Sequence, residues 1–469
     1  MDPIVEATRR APANAPDRVA LYLSWGAGSA GVQAIISGLT FFALFYFVSI
    51  IGLSPAVAGT VLLIGKLVDA VSYPLMGLAS DRLDTRWGRR RPWMLAGTVL
   101  GTISFVMLFN VPATLEGIWL PAWITVVVAL LAMSLAVYYV PYFALAADIA
   151  RNEHERTRLM AYRSAWFMFG TFAGSAAAGM LVARLGGGRT AYAAMGWAVG
   201  AFVALSLWAG FAGTRRVPIE RTSATRLPGL SWTELRSMFA NRAYVVIVGV
   251  KALQFFGLAG QGAALLFFIT YVMRRDANLL AVYGAVIIAT ALVAMKLWIW
   301  MPRRIGKANA FRVSTVGWAL ATVSWLVAGP NETMAVFVLR SMGVGVFSTG
   351  FLVCGQSMLL DAIDHDRQRS GLAREGMLSA MYAFVEKIAG ALGPFVVGLV
   401  LAGYGFQAGG KPPADPADTL AALRIGVVAV PVLACIAMAV LLRYYRLEPT
   451  GNRTSAVPES AVAVRRAAP

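Results

Sequence analysis

Apolar runs long enough to cross a bilayer alternate with short polar segments along almost the entire chain. A transmembrane helix needs about twenty mainly apolar residues, and twelve such runs can be laid down. The first half gives 19–51, 55–79, 93–111, 118–147, 160–185 and 192–212; the second gives 244–273, 279–301, 311–328, 334–360, 376–403 and 420–442. Between the halves, 214–242 is polar, carries Pro218 and Pro228, and holds a short amphipathic piece at 231–239, so it reads as a linker lying on the membrane surface. The pattern predicts an all-α polytopic membrane protein. Its parts are a polar tail over 1–18, six helices over 19–213, the linker over 214–242, six helices over 243–443 and a second tail over 444–469.

Composition narrows the function classes. With 58% hydrophobic and 14% charged residues over 469 positions, and a mean hydropathy of +0.67, there is more apolar surface than one soluble core could bury. The formal charge of +18 sits in short loops and not on one continuous face, which argues against nucleic acid as a partner. Cys354 and Cys435 each lie inside an apolar run, so neither a disulfide framework nor a metal cluster is expected. No nucleophile and base come together in the pattern, so neither an enzyme nor a cofactor is expected. Of the 41 Lys and Arg, about 30 fall in the tails, the linker and the loops after the second, fourth, eighth and tenth spans, and about five in the opposite loops. Both termini are therefore expected in the cytoplasm.

The stretch from Gly65 to Trp93 carries the candidate chemistry. Asp69 lies inside an apolar span, where a carboxylate is costly to keep and marks an ion or substrate path by default. Lys66, three residues earlier, shares its helical face and could offset its charge, which is the purely structural alternative. Beyond them, Asp81, Arg82, Arg86, Gly88, Arg89, Arg90 and Arg91 form a polar loop. An internal repeat ties the halves together: Asp148, Glu153, Arg156 and Thr157 are matched at one constant offset by Asp361, Asp366, Arg369 and Ser370. Two six-helix bundles related by an axis along the membrane normal would produce this pattern.

The residues Asp69, Pro74, Gly77, Asp81, Arg82, Arg86, Trp87, Gly88, Arg89, Pro92 and Trp93, with the segments Val140 to Arg163 and Leu360 to Gly390, resemble the glycoside-pentoside-hexuronide:cation symporters. This is the melibiose permease family within the major facilitator superfamily. The resemblance implies the twelve-helix major facilitator fold and places a cation site at Asp69, with Lys387 as the family's helix 11 lysine. The family's second helix 2 carboxylate falls at Tyr73 in this chain. Sodium prefers several oxygen ligands, anionic ones above all, so one carboxylate beside Lys66 makes a poor sodium cage and an adequate proton carrier. The family's two sugar-binding aspartates fall at Gln33 and Tyr139, both polar and uncharged, and Arg163 lies where the family keeps a substrate-side arginine.

The aromatic residues Trp25, Tyr138, Tyr142, Trp166 and Tyr382 could stack on a sugar, although aromatics in spans also serve as packing and interfacial anchors. Gln254, Gln261 and Gln356 are amides inside spans that need hydrogen-bonding partners. Glu386 and Lys387 point about 100° apart on their helix and cannot face one cavity equally. Asp81, Arg82, Arg86, Asp148, Arg156, Asp361 and Arg369 would form a cytoplasmic gate that pairs when the inner side is shut. Their bland alternative, topology alone, explains the arginines but not the interleaved acids. The expected function is alternating-access symport of a small polar solute, a sugar or glycoside, with protons favoured over sodium. A monomer in a bacterial inner membrane is expected to carry it out. The rival readings are a carrier of an amphipathic or lipid-like solute and a non-transporting sensor or assembly factor on the same fold.

Overall fold

The computed structural model describes residues 15–82, 85, 90–149, 153–216, 241–370, 375–407, 409 and 411–445, and a few of these, among them Asp81, Arg82, Asp148 and Arg156, by backbone alone. The tails and most of the linker, with its amphipathic piece, lie outside the described residues. Twelve helices among the described residues are long and apolar enough to cross a membrane. In the first half they are α1 (Ala15–Gly38), α2 (Pro55–Arg82), α3 (Arg91–Phe109), α4 (Trp119–Ile149), α5 (Glu153–Phe172) and α6 (Arg189–Gly213). In the second half they are α7 (Arg242–Phe267), α8 (Asn278–Ile305), α9 (Lys307–Val323), α10 (Met334–Ser370), α11 (Glu375–Gly403) and α12 (Pro416–Arg424, resumed as Val430–Leu441). π-Helical turns extend α1 over Leu39–Ala43, α5 over Ala173–Ala177 and α7 over Phe268–Val272, and join the two parts of α12 over Ile425–Ala429.

Local chemistry sets the ends of these helices. Asn241 accepts a hydrogen bond from the Tyr244 amide at the start of α7, and Asp415 accepts one from Ala417 at the start of α12, with Pro416 in the first turn. Each supplies a partner for an amide that the first turn leaves unpaired. The charged turns read from sequence as loops are helical instead. Asp361 and Arg369 lie on α10, and Asp148 on α4. Apolarity stops where the lipid stops, but helix-forming residues continue, and Arg367 and Arg369 in the last turn of α10 complement its dipole.

Helix packing repeats between the halves with an offset of six. In the first half α1 packs on α5 and α6, α4 on α2 and α3, and α3 on α6; in the second α7 packs on α11 and α12, α10 on α8 and α9, and α9 on α12. The seams between the halves obey the same relation, with α2 against α11, α5 against α8, and α1 against α7. The result is two six-helix bundles related by a pseudo-twofold axis, the major facilitator arrangement. The bundles are sealed at the end opposite the termini. There the Gly409 amide donates to the Val48 carbonyl at 3.0 Å, the Ser49 and Tyr271 hydroxyls lie 3.3 Å apart, and the rings of Phe45 and Phe267 pack edge to face at 4.9 Å. At the end bearing the termini, side chains tie helices of one bundle together. Arg91 donates to the Thr214 carbonyl at 2.6 Å, and Tyr244 to that of Leu378 at 2.6 Å.

Candidate cation and solute site

Asp69, midway along α2, is buried with 5% of its surface exposed. The Lys387 ammonium, from α11, donates to its Oδ2 at 2.6 Å. The same ammonium stands 3.2 Å from the centroid of the Tyr73 ring. Tyr73 follows Asp69 by four residues, so both face α11 from one side of α2. Where a second carboxylate would have added anionic oxygens, an aromatic face meets the lysine as a cation–π partner. Pro74, inside the helix, removes an amide donor and leaves the Ala70 carbonyl without its usual helical partner beside Asp69. The second oxygen of Asp69, Oδ1, is buried and has no hydrogen-bond partner among the described residues.

The ion pair of Asp69 therefore crosses between bundles and is not made along the helix with Lys66. Lys66 lies near enough to act electrostatically on Lys387 and Glu386. Glu386, the residue before Lys387, hydrogen-bonds the Tyr382 hydroxyl one turn earlier and lies within electrostatic reach of Lys251 on α7 and of Lys66 and Tyr73 on α2. Lys251 is 1% exposed, with its ammonium 5.1 Å from the Phe255 ring. The nearness of Glu386 to Lys251 was not legible in the sequence, because nothing in either run names the other; the available signal was one charge of each sign inside two separate apolar spans.

A second group adjoins the first through Tyr139, whose ring lies 6.1 Å from that of Tyr73. Arg163, from α5, donates to the Tyr139 hydroxyl at 2.8 Å, and its guanidinium lies 5.3 Å from the Phe143 ring. Its Nε is buried without a partner among the described residues. Ser29 of α1 donates to the Arg163 carbonyl at 2.9 Å and so fixes that turn of α5. Trp166, one turn on, is half-buried and lies over Gly26 of α1, where a Cβ would stand 2.7 Å from the indole.

Of the other residues singled out from sequence, Tyr142 adjoins this group: its ring lies 6.0 Å from that of Tyr139 and is stacked on Trp25 at 4.7 Å, and its buried hydroxyl has no partner among the described residues. Gln33 turns to Ser37 on its own helix at 3.3 Å, and Gln356 stands exposed on α10. Gln261 reaches Thr322 and the Val427 carbonyl. Gln254, fully buried, has neither amide atom partnered among the described residues. Of the gate residues, Asp361 pairs with Lys307 of α9 at 2.7 Å, inside the second bundle, and Arg369 is exposed near the end of α10. Asp81 and Arg82 end α2, Asp148 lies in the last turn of α4 and Arg156 opens α5, with their side chains outside the described residues, as is all of Arg86.

The chain matches the family described as MFS/sugar transport protein over residues 24–449. It is 27% identical to the isoprimeverose transporter of Lactiplantibacillus pentosus, covering 86% of this chain and 84% of that one. It is also 27% identical to the putative glycoside/cation symporter YagG of Escherichia coli strain K12, covering 95% of each. Among solved structures it resembles a bacterial homologue of the human lysosomal transporter Spinster, with a TM-score of 0.65 at 16% identity, covering 93% of this chain and all of that one. That likeness is one of fold.

Proposed function

This chain belongs to the MFS/sugar transport family, as one of the glycoside-pentoside-hexuronide:cation symporters of the major facilitator superfamily, and from that premise we propose proton-coupled symport of a sugar or glycoside. It is an integral membrane transporter and not an enzyme. The observation that carries the proton reading is the buried carboxylate that α2 brings to the seam, Asp69, bonded across the bundles to Lys387 at 2.6 Å. Protonating it removes the negative partner that holds α11 to α2, so loading the cation and loosening the seam become one event. Sodium would need further anionic oxygens, and α2 offers Tyr73 at the next turn.

The solute contacts the same seam. Arg163, Tyr139 and Trp166 supply a charged donor, a hydroxyl and an aromatic face, the mix that binds a sugar's hydroxyls and its apolar C–H surface. The residues Asp81, Arg82, Arg86, Asp148, Arg156, Asp361 and Arg369 form the gate at the end bearing the termini. That end faces the cytoplasm by the excess of basic residues on its side.

The test is uptake into proteoliposomes under an imposed pH or sodium gradient. The panel begins with isoprimeverose, after the relative that carries it, and includes monosaccharides, other glycosides and lysophosphatidylcholine. Accumulation of a sugar driven by pH supports the reading. Sodium-driven uptake at fixed pH would overturn the choice of cation, and lysophosphatidylcholine uptake alone would overturn the choice of solute.

A further inference from the structure

Two carboxylates and three ammonium groups lie together in the middle of the membrane: Asp69 and Lys66 on α2, Lys387 and Glu386 on α11, and Lys251 on α7. The direct bond between the bundles in this set is Lys387 to Asp69. If Asp69 takes a proton, Lys387 is left as a buried ammonium without its anion, a costly arrangement in low dielectric. The nearest other carboxylate is on the adjoining residue. Glu386 is hydrogen-bonded by the Tyr382 hydroxyl and lies within electrostatic reach of Lys251. The Lys251 aliphatic chain is wedged against Gly355 of α10, where a Cβ would stand 3.0 Å from its Cδ and 3.3 Å from its ammonium. That glycine makes room for a lysine pointed at α11.

We infer that Glu386 is the waiting partner of Lys387, and that transfer of Lys387 from Asp69 to Glu386 is the step that unties α2 from α11. The inference rests on Asp69 being the proton carrier. The proton comes from water and forms an O–H bond at Asp69; Lys387 keeps its own three protons and exchanges one carboxylate neighbour for another. Every charged or titratable group facing Glu386 has a part. Tyr382 on α11 hydrogen-bonds it, Lys251 from α7 favours its charge, Lys387 on α11 moves to it, and Lys66, Asp69 and Tyr73 from α2 surround the position that Lys387 leaves. Glu386 is a positioning residue for the coupling step, since it acts through Lys387.

The test needs no solute. Spin labels at Val57 on α2 and Leu399 on α11, exposed positions beside the sealed end, are placed in the full chain after both native cysteines are replaced. The separation of the bundles is then followed against pH. The variant compared is Lys251→Met with Glu386→Gln, which removes one charge of each sign and leaves the net charge of the cluster unchanged. In the unmodified protein, acidification is expected to lengthen the distance through a single transition. In the double variant the midpoint is expected to move at least one pH unit toward acid, a tenfold change in proton affinity, because protonating Asp69 now strands Lys387. An ion pair that served stability alone would lower the thermal midpoint and leave that titration in place, so an unmoved titration in a folded double variant overturns the inference. A distance indifferent to pH in the unmodified protein overturns the proton reading itself, and the inference with it.

Discussion

Gly398 of α11 packs its bare Cα against α2 so closely that a Cβ there would stand 2.5 Å from the Pro55 carbonyl oxygen. The obstacle is backbone, which cannot swing aside. Overpacking of this kind costs about 1–3 kcal/mol. Spent against the sealed conformation, that moves a two-state balance by roughly 5- to 150-fold. Gly398→Leu is therefore expected to populate a conformation open at the end opposite the termini. A Val57 to Leu399 label distance unchanged by the substitution would count against this. Gly179, in the segment Ala178–Arg184 that continues α5, occupies the symmetry-related seam, with a Cβ position 2.9 Å from the Ala277 carbonyl oxygen, and Gly179→Leu should act in the same direction.

The bond from Arg163 to the Tyr139 hydroxyl is 2.8 Å long, and the arginine's Nε is buried without a partner among the described residues; the proposed function gives its remaining donors to the solute. Hydrogen bonds to charged groups are worth about 1.5–3 kcal/mol, so Arg163→Gln is expected to weaken the half-saturation of solute counterflow by roughly 10- to 150-fold. Tyr139→Phe removes the acceptor that orients the arginine and should cost less. Equal affinities in all three proteins would take Arg163 out of the solute site.

The fold was legible because lipid demands a simple code of apolar length, and the constant offset between two charged segments announced the duplicated bundle. Asp69 was legible for the same reason, as a charge where charges are expensive. Its partner was not. Residue spacing suggested Lys66, whereas the bond is made to Lys387 on a helix of the other bundle, and only resemblance had marked that lysine. Nor could hydropathy show that α10 continues as helix to Ser370, because apolarity reports the bilayer and not the hydrogen-bonded backbone. Tyr142 and Gln356 illustrate the remaining limit. Aromatic and amide residues in spans look alike in sequence, and only packing separates a stacked core ring from an exposed amide.

Glu332, in the connection between α9 and α10, accepts a 2.6 Å bond from Arg340, and the two side chains are 5% and 11% exposed respectively. Burial pushes its carboxyl above the usual carboxylate range, although Arg340 opposes the shift. The folded state thus binds this proton more tightly than the unfolded chain does. The stability it contributes is present below the ordinary carboxylate value and is lost as pH rises through the raised one. Glu332→Gln removes that slope. From pH 4 to 6 the thermal midpoint of the unmodified protein should fall relative to that of the variant, and a constant difference would show that the proton is not bound differentially.

Asp69→Asn keeps the side chain's shape and an oxygen for Lys387 but removes the ability to titrate. If Asp69 carries the coupling proton, pH-driven accumulation should vanish, while exchange of labelled for unlabelled solute, which needs no net proton movement, persists. The competing account is that Lys387 holds Asp69 permanently ionised in a structural ion pair. Under that account the variant leaves a buried ammonium without its anion, which costs about 3–5 kcal/mol, and accumulation fails because the protein is unstable. Asp69→Asn combined with Lys387→Met separates the two, since it removes the uncompensated charge. A folded double variant that exchanges solute but does not accumulate it assigns the proton to Asp69. A double variant that accumulates solute under a pH gradient as the unmodified protein does would move the coupling proton to another residue.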